Sequence, residues 1–206
     1  MPARRLTRKA EAWFARHQRA LPWRDSYDPY RIWVSEVMLQ QTRMGVVLPR
    51  YQDFVTRFPT LRTLAAAGEE EVTAAWSGLG YYRRARMLRQ GAAAVVERFA
   101  GRLPDDVSVL QTISGIGRYT AGAIASIAYD QPAPIVDGNI MRITARLFAI
   151  NAALRSPGLA RQAWKRAEEL VKAAKSPRMF NQALMEIGAL ICRPKNPLCG
   201  ECPLRR

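Results

Sequence analysis

Ser114-Gly-Ile-Gly-Arg-Tyr-Thr-Ala-Gly122 is the stretch on which the fold turns. A short apolar helix at 107–113 runs into it and an Ala-rich helix at 119–129 runs out. The Gly-x-Gly at 115–117 is therefore a tight turn joining two helices. Glycines reach positive φ and let another backbone come close. The first N–H groups of the second helix then point outward without intrahelical partners, and with the helix dipole they suit a phosphate. Taken alone, the same turn is also an ordinary helix connector.

Upstream of the turn, residues 83–99 read as a long basic-apolar helix ended by Gly101 and Pro104, and 65–76 as a short helix before Gly78-Leu-Gly-Tyr-Tyr82. Residues 46–57 form a helix that stops before Pro59. The helix predicted at 30–43 carries Ile32, Trp33, Val34, Val37, Met38 and Leu39 and is largely buried. Leu-Pro-Trp-Arg at 21–24 and Asp28-Pro29 separate it from an opening helix at 4–19, with Leu6, Trp13 and Phe14 on one side and arginines on the other. Downstream, helices are expected at 140–150, 159–175 and 178–192. No alternating β pattern, repeat or low-complexity tract appears, so the fold class is all-α.

Pro134-Ile-Val-Asp-Gly-Asn139 leads into the helix expected at Ile140, which places Asp137 as an N-cap and leaves the backbone at Gly138 open. The chain of 206 residues suits one domain or two small lobes. Lys and Arg number 32 against 17 acidic residues, a formal charge of +15, and they are spread along the whole chain. The partner this implies is a polyanion, nucleic acid before a membrane surface, since no long apolar span or signal peptide is visible. Cys192, Cys199 and Cys202 follow a C-x6-C-x2-C spacing that argues for a metal centre in a reducing cytoplasm over disulfides. The single histidine, His17, all but excludes a His triad or a His-ligated metal.

The 114–122 string resembles the helix-hairpin-helix element of DNA repair proteins, which grips DNA backbone without reading sequence. In those glycosylases an essential Asp lies about twenty residues beyond the hairpin; Gly117 and Asp137 are 20 apart. The resemblance extends almost end to end, to the MutY adenine DNA glycosylase family. It rests on LPWR at 21–24, WVSEVMLQQT at 33–42, GLGYYRRAR at 78–86, GIGRYTAGAIAS at 115–126, VDGN at 136–139 and FNQALMEIGALIC at 180–192.

The resemblance implies removal of adenine mispaired with 8-oxoguanine or guanine. Such hydrolysis uses one carboxyl group to protonate the leaving group and another to steady an oxocarbenium-like sugar. Glu36, on a helix dense with apolar residues, is the expected acid, because burial disfavours the charged form of a carboxyl group. Asp137, at a polar helix start, is the expected ionised partner, supported by Asn139 and Tyr119. Bifunctional relatives of the endonuclease III type carry a nucleophilic Lys where this chain has Tyr119, so base removal without strand cleavage is expected.

By the same resemblance Gln41, Thr42, Leu79 and Tyr81 probe or wedge beside the target pair, and a stacked aromatic ring is worth about 1–3 kcal/mol per base. Gln182 faces the flipped adenine, and Trp23 and Arg24 stand at the pocket edge; packing roles for Trp23, Tyr81 and Tyr82 remain open at this point. Gly115, Gly117, Arg118 and Tyr119 contact backbone phosphate. The family holds a [4Fe–4S] cluster on C-x6-C-x2-C-x5-C, whose first three ligands match Cys192, Cys199 and Cys202. The fourth falls at position 208, past Arg206. A chain cut just short, a cluster that is incomplete, ligated from elsewhere or lost, and a three-Cys zinc site are the alternatives. Arg193, Lys195, Arg205 and Arg206 suit phosphate contacts beside it. The domain that recognises 8-oxoguanine in relatives has no counterpart here, so weakened lesion discrimination is expected.

The architecture expected is a helical barrel lobe at 24–133 and a second lobe from 1–23 with 134–206, the DNA between them and Glu36 opposite Asp137. The partner expected is double-stranded DNA with a mispaired base, and the chain is expected to be a cytoplasmic, nucleoid-associated monomer without a nucleotide cofactor. Three other readings stand: a thymine glycosylase for G:T mismatches, a non-catalytic DNA-binding remnant and a structural nucleoprotein.

Overall fold

A polar cap followed by proline starts three of the helices in the computed structural model, which describes residues 2–153 and 156–205. Asp28, Ser156 and Ser176 each accept a bond from a backbone N–H one turn in. Pro29, Pro157 and Pro177 follow them at the first helical position, where a missing N–H costs nothing. In chain order the helices are α1 (Ala3–His17), α2 (Pro29–Leu39), α3 (Met44–Arg57), α4 (Leu61–Ala66), α5 (Glu69–Ala75), α6 (Arg83–Phe99), α7 (Val107–Leu110), α8 (Arg118–Ala123), α9 (Gly138–Leu147), α10 (Pro157–Ala173) and α11 (Pro177–Leu190). A 3₁₀ turn at Pro22–Arg24 and a π-helical turn at Ile124–Ala128 complete the set. No strand occurs among the described residues, so the all-α expectation holds. None of their helices is long and apolar enough to cross a membrane.

The chain packs as two units, residues 21–124 and residues 1–20 with 125–206. In the first, α2 is the core: Ile32, Trp33, Val34 and Met38 are at most 1% exposed. It packs on α3, α6 and α8, while α4 and α5 lie on α6. Phe54 meets Phe58 and Trp76 edge-on, with ring centroids 4.9 and 5.6 Å apart. Burying one such side chain contributes about 1.5–3 kcal/mol. At Gly91 a Cβ would stand 2.5 Å from the Ser114 carbonyl oxygen and 2.8 Å from the Trp33 ring. Glycine thus lets α6 close on both the core and the lead-in to the 115–117 turn.

In the second unit α1 lies on α10 and α11, and α9 packs on the same two helices. Glu11 accepts from the backbone N–H groups of Lys175 and Ser176 at 2.9 and 3.0 Å, tying α1 to the α10–α11 turn. Asn181, buried on α11, donates to Ser126 Oγ and to the Ala133 carbonyl at 2.8 and 2.9 Å. That bond anchors the extended segment leading to Asp137.

Three elements differ from the sequence expectation. The helix expected at 65–76 is two helices, because Thr60 and Thr63 form a capping box at α4 and Gly68 restarts the chain as the N-cap of α5. Glu69, Glu70 and Glu71 then occupy the first turn of α5, where the helix dipole favours negative charge. The helix expected to run to Arg43 ends at Leu39: the Arg84 guanidinium takes the carbonyls of Val37, Met38 and Gln40, and Gln41 turns left-handed at φ 57°. The helix expected at 119–129 loosens into the π-turn, where Arg178 donates to the carbonyls of Ile127 and Ala128. Elsewhere the ends shift by a few residues.

Candidate functional site

Asp137 caps α9 as its sequence position implies. The segment before it is extended, with Ile135 fully buried, and Asp137 itself is half-buried at φ −105°, ψ −173°. One carboxylate oxygen accepts from the Ile140 backbone N–H at 2.7 Å and the other from the Asn139 side-chain amide at 3.1 Å. Asn139 Oδ1 in turn accepts from Arg142 at 2.8 Å. Arg142 also donates to the carbonyls of Cys192 at 2.7 Å and Gly188 at 2.8 Å. A carboxylate held by two donors keeps a fixed orientation. Arg142 was not singled out in the sequence; nothing local marks it, since its partners come from α11.

Gln182 lies on α11 in the same unit, 2% exposed, with its amide donating to the Arg178 carbonyl at 3.3 Å. One turn further along, Glu186 is fully buried and pairs with Arg19 at 2.8 Å. The sequence reading assigned no role to Arg19 or Glu186.

In the unit of residues 21–124, Glu36 is 4% exposed on α2, among the apolar side chains of that helix. Trp23 is also buried and meets the Tyr51 ring edge-on at 5.0 Å, a core contact, while Arg24 is half-buried. The four residues expected to probe DNA gather at two neighbouring segments. Gln41 and Tyr81 are exposed, both with positive φ; Thr42 is half-buried; Leu79 is 4% exposed and turns its side chain inward. Arg84 ties the segments together, bonding Thr42 Oγ1 at 3.0 Å and the carbonyls of Leu79 and Gly80 at 3.0 and 3.2 Å. It lies inside the GLGYYRRAR string, but its role was invisible there.

The turn at 115–117 has the geometry its glycines imply. Gly115 sits at φ 81° with Met87 Cβ 3.1 Å from a would-be Cβ. Gly117 is the N-cap of α8, exposed, and a Cβ there would meet nothing within 4 Å. Ile113 and Ile116 anchor the turn in the core, leaving Arg118 exposed and Tyr119 half-buried. An open pocket of about 440 Å³ beside it is lined by Gln40, Arg84, Gln111, Gly115 and Gly117.

Cys192, Cys199 and Cys202 are free thiols in the loop that follows α11. Arg146 donates to Cys192 Sγ at 3.3 Å and to the carbonyls of Arg193 and Pro194 at 2.8 and 3.0 Å. Burial pushes the Cys202 thiol pKa up, and the neighbouring Cys192 and Cys199 add to the shift. The three thiols share one loop, and thiolate chemistry fits an iron–sulfur centre. Among the described residues no group of three or more His, Cys, Asp or Glu is arranged to hold a single metal ion. Arg193, Lys195 and Arg205 are exposed around the loop; Arg206 lies outside the described residues.

The chain is 46% identical over 203 residues to an adenine DNA glycosylase of Rattus norvegicus, an alignment covering 94% of this chain and 39% of that protein. It is 41% identical over 194 residues to an adenine DNA glycosylase of Mycobacterium tuberculosis, covering 94% of this chain and 64% of the relative. It therefore spans less than two thirds of either relative's length. The fold also superimposes on a thermostable thymine-DNA glycosylase with a TM-score of 0.85 at 28% identity, covering 98% of this chain and 93% of that one. Residues 34–184, which hold Glu36 on α2, the glycine turn and Asp137, match the HhH-GPD superfamily base excision DNA repair proteins, and the chain belongs to that family.

Proposed function

We propose that this chain removes adenine mispaired with 8-oxoguanine or guanine in double-stranded DNA by hydrolysing the N-glycosidic bond. The observation that carries the reading is the contrast between its two carboxyl groups. Asp137 is held in place by the Ile140 N–H and the Asn139 amide, whereas Glu36 is buried on an apolar helix. Glu36 protonates the base at N7, the C1′–N9 bond breaks, and adenine leaves. Asp137 stabilises the sugar cation until water adds at C1′ and gives its proton to the Glu36 carboxylate, restoring the acid, the division of labour glycoside hydrolysis requires.

Tyr119 cannot form a Schiff base, so the product is an abasic site without strand cleavage. Gln41, Thr42 and Tyr81 enter the base stack, Gln182 faces the extruded adenine, and Gly115, Gly117 and Arg118 meet the phosphates. Cys192, Cys199 and Cys202 would supply three of the four ligands of a [4Fe–4S] cluster, supported by their C-x6-C-x2-C spacing in one loop and by the Arg146 donor at Cys192. Such a cluster, when bound, orders the basic loop around it.

Likeness to a thymine-DNA glycosylase supports a second reading, a thymine glycosylase acting on G:T mismatches. The two separate in one experiment. Duplexes carrying A:8-oxoguanine, A:G or T:G are incubated with the protein and then heated in alkali to cut abasic sites. Cleavage at A supports the proposal, and cleavage at T alone replaces it with the second reading. Binding without release of either base leaves a DNA-binding module.

A further inference from the structure

Arg84 has no part in the chemistry just described, yet six acceptors surround its guanidinium. One Nη bonds the carbonyls of Val37 at 2.8 Å, Met38 at 3.0 Å and Gln40; the other bonds Thr42 Oγ1 and the carbonyls of Leu79 and Gly80. The first four belong to the end of α2 and the Gln40–Thr42 turn, and the last two to the 78–82 turn. Its carbon also lies 5.4 Å from the Tyr81 ring centroid and 5.6 Å from that of Trp76.

Both segments need such a clamp. Gln41 and Tyr81 have φ of 57° and 49°, a left-handed backbone that a non-glycine residue keeps only when its surroundings hold it. Tyr81 is 62% exposed, so little packing on its ring fixes it. An arginine that binds phosphate leaves its planar fork open to solvent. At Arg84 both terminal nitrogens are engaged by the protein, and Nε is buried without a partner. Arg83 and Arg86, on either side, are exposed and free of that clamp.

We infer that Arg84 is a positioning residue that locks Tyr81 and the Gln41–Thr42 turn into one rigid element, pre-set to enter the DNA base stack. The inference rests on the glycosylase reading, because that reading makes these residues the DNA probe. Holding the probe in place before binding removes the ordering cost from the base-extrusion step.

The test is Arg84→Lys, which keeps the charge and loses the planar fork. Extrusion is read from the fluorescence of 2-aminopurine placed at the target position, and base release from single-turnover cleavage of an A:8-oxoguanine duplex. Arg84→Lys is expected to lower both by at least about tenfold. In a Tyr81→Leu background it is expected to cost less than it does in the parent, since part of its effect runs through Tyr81. Parental extrusion in Arg84→Lys, or losses that multiply in the double variant, overturns the inference. If circular dichroism shows Arg84→Lys unfolded, the same cycle is run with Arg84→Gln, which keeps one donor group without the charge or the fork; multiplying losses there also overturn it. A parent that extrudes 2-aminopurine but releases no base refutes the glycosylase reading and leaves the Arg84 test intact. A parent that extrudes nothing overturns both.

Discussion

The Asn139 amide donates to Asp137 Oδ2 at 3.1 Å, and Arg142 holds that amide from behind, 2.8 Å from Asn139 Oδ1. A hydrogen bond to a charged group is worth about 1.5–3 kcal/mol. Asn139→Ala is therefore expected to slow adenine release about 10- to 100-fold in single-turnover assays. The Ile140 N–H still caps against Asp137, so the thermal midpoint should stay near that of the parent. A large drop in midpoint with unchanged release would refute this role.

Asp137 caps α9 and, in the proposed reaction, also serves the chemistry; substitution separates the two. Asn caps helices about as well as Asp, whereas Ala costs about 1 kcal/mol. Asp137→Asn should melt close to the parent and Asp137→Ala somewhat lower. Both should lose base release by about three orders of magnitude. Residual release by Asp137→Asn near the parental rate would make the residue a cap only.

Gly188 lets α11 approach α9 closely. A Cβ there would stand 2.6 Å from Asn139 Cβ and 3.4 Å from Ile143 Cδ1. Gly188→Ala should destabilise the fold by about 1–3 kcal/mol through overpacking. Differential scanning calorimetry should show a lowered midpoint, and base release should fall with it because Asn139 is displaced.

Gly91→Ala is expected to act on the other unit. Its Cβ would press on the Ser114 carbonyl oxygen and the Trp33 ring. A cost of about 1–3 kcal/mol is expected from chemical denaturation. Binding to an undamaged duplex should weaken as well, because the 115–117 turn loses its seat. Unchanged binding would remove that turn from the DNA interface.

Protein prepared anaerobically with iron and sulfide should absorb near about 410 nm, where iron–thiolate transitions fall. Cys199→Ser should diminish that band. A folded, colourless protein under these conditions would remove the cluster.

The sequence alone determined most of the helices, the buried character of α2 and the cap at Asp137; the caps at Asp28, Ser156 and Ser176 follow the same local rules but were not singled out in it. Those features obey local rules: apolar spacing of three to four residues, a polar side chain bonding an N–H one turn ahead, and proline in the first turn. Asp137 with Asn139 was legible for the same reason, lying two residues apart. The tertiary structure alone decided where α2 ends, because the guanidinium that takes its last carbonyls comes from Arg84, 47 residues beyond Val37. It alone decided that Arg142 stands behind Asn139, that Arg19 pairs with buried Glu186, and that Leu79 points inward while Tyr81 points out. An arginine's partner across the fold leaves no periodic mark in the chain. The two candidate carboxyls, Glu36 and Asp137, could be singled out in the sequence, but Arg142 behind Asn139 and Arg84 at the end of α2 appeared only once the helices had packed.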